Sequence, residues 1–212
     1  MDEKRQSPEQ ILKQIEKEEQ SLNRGHLKIF FGYAAGVGKT YAMLKAAHSA
    51  KRQGIDVVAG YIEPHARPQT SALVNGLECR SNLVSEYNGI TLSEFNLDAA
   101  LDRRPQLILV DELSHTNAPV CRHTKRYQDI EELLNAGIDV YTTVNVQHIE
   151  SLNDTVASIT GIMIHERIPD SVFDNASQVE LVDIEPQELI ERLKSLTSRE
   201  NISSACSSMS AR

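Results

Sequence analysis

Lys28-Ile-Phe-Phe-Gly-Tyr-Ala-Ala-Gly-Val-Gly-Lys-Thr-Tyr-Ala-Met-Leu44 is the stretch that decides the fold. An apolar run of strand length passes through glycines into Lys39-Thr40, which opens a helical segment. That is the order a phosphate-binding P-loop requires. Gly36 and Gly38 carry no Cβ, so consecutive backbone N–H groups can converge on an anion. The helix that follows adds its unpaired N–H groups and the positive end of its dipole. In this reading Gly32, Gly36, Val37, Gly38, Lys39, Thr40 and Tyr41 hold a nucleotide. Lys39 reaches the β- and γ-phosphates, and the Thr40 hydroxyl ligates Mg²⁺. The strict pattern G-x-x-x-x-G-K-[ST] places glycine where this chain has Tyr33; its glycine stands one residue earlier, at Gly32.

A second signal is Leu107-Ile-Leu-Val-Asp-Glu112, an apolar strand that ends in two carboxylates. Asp111 is placed to hold Mg²⁺ through water, and Glu112 to polarise an attacking water as general base. Ile55–Ile62 and Ile138–Val146 read as further strands buried on both faces. In an open parallel sheet the carboxyl ends of such strands share one edge. Glu63, His65 and Arg67 after the first run, and Thr142, Thr143 and Asn145 in the second, are therefore expected beside the phosphates. Asn145 is the candidate sensor of the γ-phosphate, and Arg67 a candidate nucleotide contact.

Residues 113–127 read as a long polar and basic loop, with Arg122 and Arg126 as candidates to approach a phosphate in cis or in trans. His148 has no metal-type companion at helical spacing and is expected to be structural. The expected architecture is a three-layer, P-loop NTPase-like α/β domain with a mainly parallel sheet of about five to seven strands. Residues 26–194 form it, with Ile162–Ile168 and Val179–Ile184 as its last strands. Ser7–Leu22 is an expected helical appendage within residues 1–25, capped by Ser7 and Pro8. Leu83–Tyr87 reads as a weak strand, Leu92–Leu101 contains a helix start, and residues 195–212 read as a disordered tail.

The 212 residues are 40% hydrophobic and 25% charged, ordinary for a globular domain, and the net charge of −8 disfavours nucleic acid as a partner. No apolar run approaches the ~20 residues of a membrane span, so direct membrane insertion by this chain is not expected. Three distant cysteines fit a reducing cytoplasm better than a disulfide framework.

The loop residues Phe31–Leu44, the run Val110-Asp-Glu-Leu-Ser-His-Thr-Asn-Ala-Pro119 and the run Gly137–Asp154 together resemble the N-terminal cytoplasmic domain of the KdpD family. Those are bacterial osmosensitive potassium sensor histidine kinases. The likeness runs from about Leu27 to Lys194, and Arg122-His123 with Lys125–Asp129 fits it too. It implies an ATP-binding regulatory module, with Mg²⁺, in a two-component system controlling potassium uptake. The implied partners are the remaining domains of a membrane sensor kinase; a second copy of the chain is a separate candidate partner. In the family a universal-stress-like domain, transmembrane helices, a phosphoacceptor-histidine helix and a kinase ATP-lid domain follow, so histidine autophosphorylation is expected to lie outside this sequence. The competing reading is a freestanding P-loop kinase of a small substrate, or a slow ATPase.

Overall fold

In the computed structural model of the chain, the described residues are 23–63, 68–87, 90–185 and 187–191. The expected N-terminal helix, His65 and Arg67 of the polar turn, and the tail from residue 195 lie outside them.

Strand β1 (Leu27–Gly32) leads through the glycine-rich loop into helix α1 (Lys39–Arg52), and β2 (Val57–Tyr61), α2 (Pro68–Val74) and β3 (Glu78–Cys79) follow. Then come the strands β4 (Leu83–Tyr87) and β5 (Ile90–Glu94), α3 (Leu97–Arg103), β6 (Leu107–Val110), α4 (Arg126–Asn135) and β7 (Asp139–Asn145). After these follow α5 (Glu150–Thr160), α6 (Asp170–Asp174) and β8 (Gln178–Leu181). Six strands form one sheet in the order β3-β2-β6-β7-β1-β8, and every pairing in it is parallel. The antiparallel pair β4 and β5 stands apart from it.

Alternation along the central strands sends side chains to both faces, as a doubly covered sheet demands. Ile29, Val58, Ile108, Val110, Val140 and Val144 pack on one face against Leu97 and Ala100 of α3 and Ile130, Leu133 and Leu134 of α4. Phe30, Val57, Ala59, Leu107 and Leu109 pack on the other against Met43, Leu44, Ala47 and Ala50 of α1. The result is a three-layer α/β domain. Because the strands are parallel, the segments after β1, β2, β6 and β7 all emerge at one edge.

Two sequence expectations need correction. Residues 162–167 form no strand; Ile168 makes only an isolated bridge to Ile149. Their backbone is satisfied elsewhere, with the Ile168 N–H on His148 O (2.8 Å) and the Asn153 amide on Ile164 O (3.1 Å). Ile162 and Met163 are exposed, so their apolarity does not mark burial in a sheet. Likewise Leu92–Glu94 belongs to β5, not to a helix start. The cap of α3 is Asn96, whose side chain accepts from the Ala99 N–H at 3.1 Å.

Candidate phosphate-binding site

Gly36 and Gly38 adopt φ of 96° and 106°, backbone that side-chain-bearing residues resist. Gly32 serves a different purpose: a Cβ there would stand 2.7 Å from Val37 Cγ2 and 3.2 Å from Lys39 Cδ. Only glycine lets the loop fold back so closely over the end of β1. No acidic residue occupies the first turn of α1, so the positive end of its dipole is left for another anion.

A cavity of about 220 Å³ opens over this helix start. Gly36, Gly38, Lys39, Thr40 and Tyr41 line it from the loop side, Asp111 and Glu112 from the end of β6, and Thr143 and Asn145 from the end of β7. The structure thus brings together the loop, the two carboxylates and the β7 terminus. Glu63 is near enough to Glu112 to affect its ionisation. Val37 is buried beneath the loop.

Polar contacts order the cavity. The Lys39 ammonium donates to Ala34 O (2.9 Å) and to the Asn145 side-chain oxygen. The Thr40 hydroxyl donates to Asp111 Oδ2 at 3.0 Å, and the Thr143 hydroxyl donates to the other Asp111 oxygen. Asp111 is fully buried and also accepts from the Glu112 N–H (3.2 Å). Glu112 itself sits at φ 61°, a strained position for a residue with a Cβ. Burial, and then the charges of Glu63 and Asp111, raise its carboxyl above the usual range.

Oxygen donors dominate around Thr40 and Asp111, the chemistry suited to a hard divalent cation. Among the described residues no cluster of three or more His, Cys, Asp or Glu could hold a metal alone. A cation here would need to share its shell with water and a phosphate, as Mg²⁺ commonly does.

Arg122 and Arg126 do not line the cavity. Arg122 pairs with Asp98 and Glu132. Arg126 is neither solvated nor aimed at a phosphate: it is fully buried, pairs with Glu94 at 2.7 Å and stacks 4.1 Å from the Tyr61 ring centre. One of its N–H groups reaches Asp111 O at 3.3 Å, bracing the strand end from behind. Burial opposes ionisation of Glu94, but His115, Arg126 and the Ala118 N–H outweigh it and hold this carboxyl low. Nothing local in the sequence marks this network.

Sequence reasoning also missed Thr70, Ser114 and Glu166 in the cavity wall, and placed His148 outside any site although it lines the same cavity. Glu166 falls in the segment misread as a strand. His148 Nδ1 bonds Glu166 O at 2.7 Å, a contact set by the fold and not by spacing.

Residues 23–211 match the family described as the osmosensitive K⁺ channel His kinase sensor domain, KdpD. The chain belongs to this family. It is 62% identical over 188 residues to the sensor protein KdpD of Clostridium acetobutylicum, covering 89% of this chain and 21% of that protein. The sensor protein KdpD of Escherichia coli is 54% identical over 190 residues, covering 90% and 21%. A putative sensor protein KdpD of Synechocystis is 50% identical over 171 residues, covering 81% of this chain and 46% of that protein. The chain therefore spans about a fifth of the length of the first two KdpD relatives. No helix among the described residues is long and apolar enough to cross a membrane.

Proposed function

We propose that this KdpD-type domain is an ATP-binding regulatory module of an osmosensitive potassium sensor histidine kinase, and that the cavity over α1 is its Mg·ATP site. The observation that carries the reading is the convergence of Lys39, the Thr40–Asp111 pair and Asn145 on a glycine loop at an unneutralised helix start. The loop N–H groups and Lys39 would hold the β- and γ-phosphates. Thr40 and Asp111 would hold Mg²⁺, and Asn145 would exchange its bond with Lys39 for one to the γ-phosphate. Residues 113–127 would then report occupancy to the remaining domains of a membrane sensor kinase, on its cytoplasmic side, or to a second copy of the chain.

Slow hydrolysis belongs to the same reading. Glu112 stands at the cavity with a raised carboxyl, suited to a general base. No arginine lines the cavity among the described residues, and efficient turnover in such sites draws about 10³–10⁵ in rate from one.

Titration calorimetry with Mg·ATP tests the proposal. Lys39→Ala should weaken binding at least tenfold, about 1.4 kcal/mol. Equal affinity in the two proteins would remove Lys39 from the phosphate site and the proposal with it.

A further inference from the structure

Tyr33 occupies the place where the strict phosphate-loop pattern has glycine, and phosphate binding gives it no role. The residue is 53% exposed, and its ring stacks on no other aromatic ring among the described residues. Beside it lies a second cavity, of about 280 Å³, lined by Tyr33, Val37, Asp183, Ile184, Glu185 and Leu189. Val37 belongs to the glycine-rich loop itself, so the loop forms part of the wall.

The two cavities flank β1 on opposite sides. On one flank Gly32 is in register with Asn145 of β7, which bonds Lys39. On the other Phe31 is in register with Leu181 of β8, and the Val182 N–H donates to Phe31 O at 2.7 Å. The chain then continues to Asp183, Ile184 and Glu185, which with Leu189 form the far wall. A triphosphate with its terminal phosphate by Asp111 and Asn145 would cross the loop and leave it on the β8 flank.

We propose, resting on the nucleotide reading above, that this second cavity receives the nucleobase. Its size falls just below the usual range of ligand pockets, ~300–1,000 Å³, which suits a planar base and not a whole nucleotide. The Tyr33 ring offers one stacking face, and the half-buried Ile184 and Leu189 side chains offer aliphatic surface. Asp183 and Glu185 place carboxylate acceptors at the rim. One Asp183 oxygen already accepts the Ile184 N–H at 2.7 Å, which fixes that corner. Acceptors at the rim favour a base that carries an exocyclic amino group.

Calorimetry on the full chain separates the base from the phosphates, using Mg·ATP, Mg·ITP and magnesium tripolyphosphate as probes. Tyr33→Ala and Leu189→Asp should each weaken ATP about tenfold, on the scale of base–aromatic stacking. Both should leave tripolyphosphate binding unchanged, Tyr33→Phe should keep ATP affinity, and ITP should bind more weakly than ATP. Unaltered ATP affinity in both variants would overturn the base assignment while leaving the phosphate site intact. A variant that weakens tripolyphosphate as much as ATP would place its residue's effect in the loop and also overturn it. Failure of the unaltered chain to bind either probe would sink the nucleotide reading itself.

Discussion

The Thr40 hydroxyl donates to Asp111 Oδ2 at 3.0 Å, joining the first turn of a helix to a strand end 71 residues later. On the proposed reading, a cation at this point would turn the hydroxyl's lone pair toward itself and take a carboxylate oxygen, and the pair would serve as half of its shell. Thr40→Ala should abolish the gain in ATP affinity seen when Mg²⁺ replaces a chelator, and Thr40→Ser should retain it. The lost hydrogen bond should cost about 1 kcal/mol of stability. A Mg²⁺ response that survives in the alanine variant would move the cation elsewhere.

Glu112 carries two separable properties, basicity and strain. Glu112→Gln keeps shape and loses basicity, so ATP binding should persist while hydrolysis stops. The unaltered chain should turn over at well under ~1 s⁻¹, below the usual range of kcat values. Because burial and then Glu63 and Asp111 raise this carboxyl, turnover should fall on acidification at a pH above that of an ordinary carboxylate. Glu112→Gly should also end hydrolysis, yet raise stability by about 1 kcal/mol by relieving the φ of 61°. Fast turnover abolished by Glu112→Gln would make the domain an ATPase in its own right.

Arg126 is a structural cation. Arg126→Met should destabilise the fold by about 3–5 kcal/mol, because it takes the guanidinium from a charged, buried Glu94 and leaves it only His115 and the Ala118 N–H. The double variant with Glu94→Gln should recover much of that loss in denaturant unfolding. Reduced turnover with unchanged stability would instead restore Arg126 to phosphate chemistry.

Asp129 gives the fold a pH signature. It is 3% exposed. Its carboxyl is raised to about 6, chiefly by burial and against the hydrogen bond from Asn117. A folded-state value above the unfolded one means its contribution is fully present below the unfolded value near 3.8 and is lost as pH rises through about 6. Asp129→Asn should therefore gain on the unaltered chain by up to about 3 kcal/mol between pH 3.5 and 7, taking about 1.36 kcal/mol per unit. Parallel stability curves for the two proteins over that range would refute the assignment.

The parts of this molecule that were legible in its sequence are those whose cause is local. Leu107–Val110 is apolar because both faces of its strand are covered, and its end delivers Asp111 and Glu112 wherever the sheet edge lies. Glycines at 36 and 38 announce their own backbone. Arg126 was illegible because its partner Glu94 is 32 residues away on the separate strand pair, and nothing near an arginine in sequence marks it for burial. Glu166 was hidden because Ile162, Met163 and Ile164 suggest a strand. The sheet edge next to β1 is taken instead by Gln178–Leu181, a less apolar segment.

The register of β1 has a consequence for synthesis. Leu27 pairs with Val140, and Lys28 with Gln178, so this early strand has no sheet neighbour until the last strands exist. At about 5–20 residues per second, a ribosome leaves it waiting for roughly six to thirty seconds. During that interval Ile29 and Phe30, wholly buried at the end, are unshielded. The nascent glycine loop therefore cannot take up its folded conformation until nearly the whole domain has left the exit tunnel. A holdase chaperone has its window on this chain there, at the first strand and not the last.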